Sequence, residues 1–213
     1  MHLSEQVAEN AACIETYGLT PTALLAGSGL LSPRLTVVHA THLTGADIAE
    51  LGRSRCFVDF CPTTERDLAD GIGPARELVD AGSELTFGSD SHAVVDLFEE
   101  MRAVELNARL RSQVRGHFRS DELVDAATTV GSRSLGFPDA GAIRAGAWAD
   151  LVTLDMTSPR TAGTGGGAAA VVFAASAADI TSVVASGRLV DLDAVDVGHD
   201  LARVIDALRL GSW

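Results

Sequence analysis

LTVVHATHLT, residues 35–44, carries a β-branched apolar run that ends on a histidine and is followed by a threonine ahead of GADIAEL. The run is too short for a helix and reads as a buried strand, LTVVHA (35–40), after which Thr44 caps a helix through Leu51. The same phrase repeats downstream. RCFVDFCP (55–62) is a second strand, and GPARELVDAG (73–82) is a helix with proline in its first turn and glycine at its end. LTFGSD (85–90) is a third strand, followed by a long helix over about 94–112 and a shorter one opened by Ser120. Upstream, residues 4–17 read as a helix with Ser4 as N-cap and Gly18 as terminator. Strands alternating with helices in this way predict an α/β protein with parallel strands and crossover helices.

The pattern changes between Gly136 and Gly141, which divides the chain into residues 1–136 and 137–213. GAIRAGAWADLVTLD reads as two short strands separated by Gly146, followed by the glycine-rich loop TAGTGGGAAA. VVFAA, TSVVASG and RLVD read as three more strands, with Gly187 and Arg188 at a tight turn, and HDLARVIDALRL as a terminal amphipathic helix. Closely spaced strands predict a small β unit.

Composition excludes several kinds of chemistry. All 16 positive charges are arginine, so a Schiff-base lysine, a P-loop lysine and a carbamylated lysine bridging two metals are impossible. A formal charge of −13 repels phosphate backbones and anionic lipid, which points away from nucleic acid and membranes and toward a small-molecule substrate or protein contact. Neither a membrane-length apolar run nor a leader-like N-terminus is present. Cys13, Cys56 and Cys61 form no disulfide or zinc pattern, and a reducing cytoplasm is the expected location.

Polar groups suited to metal and proton chemistry sit at the strand ends. His39 ends the first strand, Asp90 ends the third, and His2 and Glu5 flank the start of the first helix. In a parallel α/β barrel such groups converge on one face. Imidazole and carboxylate suit Zn²⁺, and a nearby glutamate can carry a proton to a leaving amine. The set fits hydrolysis of a C–N bond. Each residue also has a plainer reading: a solvated terminal histidine for His2, a dipole-favoured acid in a first helical turn for Glu5, and an Asp turn for Asp90. His42 is a helix-entry histidine or a partner of His39, His92 lines the site or faces solvent, and His117 and His199 read as surface residues. Cys61 reads as packing rather than as a nucleophile.

HLSEQ (2–6), VHATHLT (38–44), CPTTERDLADGIGPA (61–75) and GSDSHAVVDLFEEMRAVEL (88–106) together resemble the second half of the formimidoylglutamate deiminases of the amidohydrolase superfamily. GAIRAGAWADLVTLD is similar to the segment with which many superfamily members close a small β-sandwich domain. The resemblance implies strands six to eight of a TIM-type (β/α)8 barrel within residues 1–136. Residues 137–213 would then be part of the β-sandwich. It further implies one zinc ion, with His2 and Asp90 as ligands, and catalytic roles for Glu5, His39 and Asp90. Glu5 would shuttle protons, His39 would polarise the bound imine, and Asp90 would also accept a proton from the attacking water.

The implied reaction converts N-formimidoyl-L-glutamate to N-formyl-L-glutamate and ammonia, a step of histidine degradation. The superfamily's His-x-His pair, which brings two more ligands, occurs nowhere in the chain. The chain therefore reads as a C-terminal fragment, with the fifth strand missing and with a complementary N-terminal chain or a homodimer as expected partners. Two other readings stand beside this one: a nucleobase or related ring deaminase using the same residues, and a non-catalytic partner chain.

Overall fold

The computed structural model describes residues 1–91, 94–191 and 197–211. Its first half alternates strands and helices as the sequence predicts, with β1, α2 and α4 in addition: β1 (His2–Leu3), α1 (Val7–Tyr17), α2 (Pro21–Gly27), β2 (Thr36–His39), α3 (Gly45–Arg53), β3 (Phe57–Phe60), α4 (Pro62–Asp67), α5 (Ala75–Ala81), β4 (Glu84–Phe87) and α6 (Leu97–Ser112). The four strands form one parallel sheet in the order β1-β2-β3-β4. Crossover helices on a sequential parallel sheet are the arrangement of a (β/α)8 barrel segment.

The sheet has one strand more than the sequence showed. His2 and Leu3 pair with Val38 and His39, so the tip of the strand expected to be missing is present. The Val38 N–H donates to Met1 O at 2.9 Å and the Ala40 N–H to Leu3 O at 3.0 Å. The first helix starts later than Ser4. Glu9 accepts the backbone N–H groups of both Ser4 and Glu5 at 2.9 Å, which holds Ser4 in the left-handed region (φ 51°) and makes Gln6 the N-cap.

Between sheet and helices lies a core of Leu3, Val37, Leu51, Val58, Phe60, Leu78, Leu85, Met101, Val104 and Leu123. The caps are encoded locally. Thr44 and Asp47 form a reciprocal capping box on α3, and Thr20 caps α2 with Pro21 behind it. Helices α3 and α5 meet through glycine: a Cβ on Gly52 would lie 2.3 Å from Ala81 O. After α6 come α7 (Ser120–Asp125), a π-helical turn (Ala126–Val130) and α8 (Gly131–Ser134).

Residues beyond 150 give β5 (Leu151–Leu154), α9 (Ala168–Phe173), a 3₁₀ turn (Ala177–Asp179), β6 (Ile180–Ala185), β7 (Arg188–Leu189) and α10 (Val197–Leu210). The strands form an antiparallel sheet in the order β5-β6-β7. Two expectations are corrected. VVFAA is not a strand: its valines lie in α9, with Ala170 and Val172 buried and Val172 part of the main core. Buried on one side and preceded by alanines, the run suits a helix as well as a strand. Of the two strands expected in GAIRAGAWADLVTLD only β5 forms, because the preceding residues turn back, with the Trp148 N–H donating to Asp139 O at 3.0 Å. The tight turn between β6 and β7 is Ser186–Gly187, both at positive φ as a two-residue hairpin demands, and Arg188 already pairs with Ala185. Asp96 joins the halves: it caps α6 and accepts the Ala177 N–H at 2.9 Å.

Candidate metal and proton-transfer site

Three strand ends deliver the four residues singled out in the sequence. His39 closes β2 at φ 69°, and Asp90 follows β4 at φ 53°. Left-handed backbone is rare for residues with a Cβ and costs of order 1–3 kcal/mol each, a strain that clusters at functional sites. Here it turns both side chains toward β1. His2 Nε2 lies 3.9 Å from Asp90 Oδ1, and the His2 and His39 rings stack with centroids 5.2 Å apart. His39 Nε2 lies 3.6 Å from Glu5 Oε1 and 3.8 Å from Asp90 Oδ2. Ligand atoms of His2, His39 and Asp90 all fall within 4.8 Å of one another, close enough to share one cation. His39 is fully buried, and its Nε2 has no hydrogen-bond partner. Such a ring nitrogen points to a ligand that completes it.

Two further carboxylates complete the surroundings of His39. Glu65, on α4, is buried and places Oε1 3.4 Å from His39 Nδ1 while accepting the Cys61 N–H at 2.9 Å. CPTTERD does not single out Glu65, because one acid in a short helix carries no spacing signal. Asp59 lies within β3, accepting from Thr86 Oγ1 at 2.6 Å and from the Cys61 thiol at 3.6 Å. Gly88 leaves room for it, since a Cβ there would lie 2.8 Å from Asp59 Oδ2.

The electrostatics follow from this crowding. Burial works to lower the His39 pKa, but the hydrogen bond to Glu65 and the charges of Glu5, Glu65 and Asp90 outweigh it, and the net shift is upward. Burial pushes the Asp59 carboxyl up. The Cys61 thiol is driven far above the ordinary thiol range by burial and by Asp59, Glu65 and Asp90, so it is no nucleophile. Other candidates fall elsewhere. His42 is tied through its backbone to the segment after β1, its N–H donating to Ser4 O at 3.0 Å and its carbonyl accepting from Asn10 Nδ2 at 2.5 Å. His117 meets Ser112 Oγ at 2.6 Å, His199 is exposed on α10, and His92 lies outside the described residues.

A parallel α/β segment brings imidazoles and carboxylates together at its strand ends, in a cluster close enough to share one cation. The chain belongs to the amidohydrolase family, whose model matches residues 1–190. It is 34% identical over 209 residues to a formimidoylglutamate deiminase of Pseudomonas aeruginosa, covering 94% of this chain and 46% of that protein. It is 30% identical over 212 residues to a 5-methylthioadenosine/S-adenosylhomocysteine deaminase of Nitratidesulfovibrio vulgaris, covering 98% and 48%. Among solved structures, an adenosine deaminase from Xanthomonas campestris with bound zinc superposes with a TM-score of 0.90 at 30% identity, over 98% of this chain and 50% of that one. The chain thus spans about half the length of the relatives it matches.

Proposed function

We propose that the chain is the C-terminal part of a zinc-dependent formimidoylglutamate deiminase. The observation that carries this reading is the meeting of His2, Glu5, His39 and Asp90 from three strand ends within hydrogen-bond or ion-pair reach. The donor set fits zinc, which takes imidazole nitrogen and carboxylate oxygen. His2 and Asp90 are the ligands this chain would offer, with the others supplied from outside it. When bound, zinc provides Lewis-acid polarisation and a water acidic enough to attack near neutral pH.

The residues divide the remaining work. Water oxygen adds to the formimidoyl carbon, and the C–N bond to the terminal nitrogen breaks, releasing ammonia and leaving N-formyl-L-glutamate. Asp90 takes a proton from the attacking water. Glu5 passes a proton to the departing nitrogen, and His39, held on its far side by Glu65, polarises the imine through Nε2. In this reading residues 1–136 are barrel and 137–213 belong to the small β domain. The location is the cytoplasm, in keeping with three free cysteines, and the partner is a complementary N-terminal chain or a second copy.

The second reading is an adenosine-type ring deaminase, favoured by the relatives of that activity. Ammonia release decides between them. We expect none from the isolated chain, and zinc-dependent release from N-formimidoyl-L-glutamate after co-expression with an N-terminal half bearing the His-x-His strand. Asp90→Asn should abolish it. Deamination of 5-methylthioadenosine in place of the formimidoyl substrate would select the second reading. Absence of both zinc and turnover in the rebuilt barrel would mark a non-catalytic chain.

A further inference from the structure

Glu5 has an acidic neighbour that the chemistry above leaves unused. Asp70, in the loop after α4, is only 5% exposed. Its Oδ1 accepts the side-chain amide of Gln6, the residue next to Glu5, while its Oδ2 is buried without a donor. The Asp70 carboxyl lies within hydrogen-bonding reach of the Glu5 carboxyl, with His39 and Glu65 the other charged groups it feels. The His42 ring stands across Gly71, 3.7 Å from the place a Cβ would take there. The loop is anchored on the acid that meets His39, since the Asp70 N–H donates to Glu65 O at 2.9 Å.

Two ionised carboxylates offer each other only acceptors, and a buried carboxylate oxygen with no donor is heavily penalised. One proton removes both conflicts. We propose that Asp70 is a neutral carboxylic acid whose Oδ2–H donates to the Glu5 carboxylate and fixes its orientation toward His39 Nε2. Burial and the nearby charge of Glu5 both push the Asp70 pKa up, in keeping with a retained proton. Asp70 is then a positioning residue. Its proton stays in place, while Glu5 passes the travelling proton to the leaving nitrogen. Only this catalytic consequence rests on the deiminase reading.

The test is carboxyl ¹³C NMR of the 213-residue chain, labelled at Asp and Glu and titrated from about pH 4 to pH 8. The Asp70 resonance is expected at its protonated position well above the ordinary value of about 3.9. Asp70→Asn, whose amide replaces the O–H donor, should leave the Glu5 resonance in place, whereas Asp70→Ala should move it. Because the native pKa is raised, the stability due to Asp70 is full below about pH 4 and is lost as pH rises through the native value. Asp70→Asn escapes that loss, so its melting temperature should gain on wild type as pH rises. An Asp70 carboxyl that titrates at the ordinary value overturns the proposal. So does an equal displacement of the Glu5 resonance by both substitutions. Neither readout needs turnover, so failure of the deiminase reading is a separate result.

Discussion

Glu65 Oε1 serves two neighbours at once, standing 3.4 Å from Nδ1 of His39 and accepting the backbone N–H of Cys61 at 2.9 Å. One buried oxygen thereby links the end of β2 to the start of α4 and fixes which ring nitrogen of His39 faces Glu5 and Asp90. Glu65→Gln keeps an acceptor there and should cost at most about 1 kcal/mol. Glu65→Leu leaves two buried donors unpaired and should cost about 1–3 kcal/mol for each. Urea denaturation of the two variants measures the difference, and equal losses would deny the acceptor its role.

Metal affinity separates ligands from neighbours. Even changes outside the ligand shell cost about 10–100-fold in metal affinity, so His2→Ala and Asp90→Asn should each weaken zinc binding by at least about 10-fold. His39→Ala should cost less than either if its Nε2 serves the substrate. Competition against a chromophoric chelator reads all three. A loss at His39 matching the other two would move it into the ligand set, which the 4.8 Å cluster permits.

Helix packing depends on one missing side chain. With Ala81 O only 2.3 Å from the Cβ position of Gly52, Gly52→Ala must push α3 away from α5 and should cost about 1–3 kcal/mol in urea denaturation. Gly27→Ala, at a helix position with open space around it, should be neutral or stabilising by up to about 1 kcal/mol.

Acid sensitivity has a second source in the later residues. Asp179 is paired by Arg160 at 2.8 Å and accepts the Ser176 N–H at 2.9 Å. The hydrogen bond from Arg160, helped by Ser158, holds the Asp179 carboxyl well below its usual range. A depressed native pKa stabilises above the unfolded value and is lost as pH falls through the native one. Asp179→Asn should therefore lower the melting temperature at pH 7, and the gap to wild type should close in strong acid. A gap independent of pH would show that the ion pair contributes nothing.

The legible part of this chain is the part where one residue contradicts its neighbours. His39 after LTVV and Asp90 after LTFGS are polar endings on apolar strands, and the structure sets both at the sheet's C-terminal edge. Thr44 and Asp47 announce α3 through a capping box. Where a segment satisfies two conformations equally, the sequence does not decide: AAAVVF is apolar and small enough to be strand or helix, and packing against α6 and α7 makes it α9. Glu65 and Asp70 are illegible in the sequence for another reason. Their importance comes from what lies across the sheet from them, His39 for one and Glu5 for the other, and no local pattern encodes a contact between distant segments.

The π-helical turn at Ala126–Val130 sets the angular phase of everything after it. A wide turn of this kind absorbs one extra residue in an α-helix, so the same residues wound as regular α-helix would rotate α8 by about 100°. Arg133, which now reaches Glu84 at the foot of β4, would swing away from it. The strand that presents Asp90 would lose a brace at its opposite end. The irregular turn thus acts as a spacer that brings a distant arginine into line with the sheet, and the same residues wound without it would keep the helix and lose the alignment.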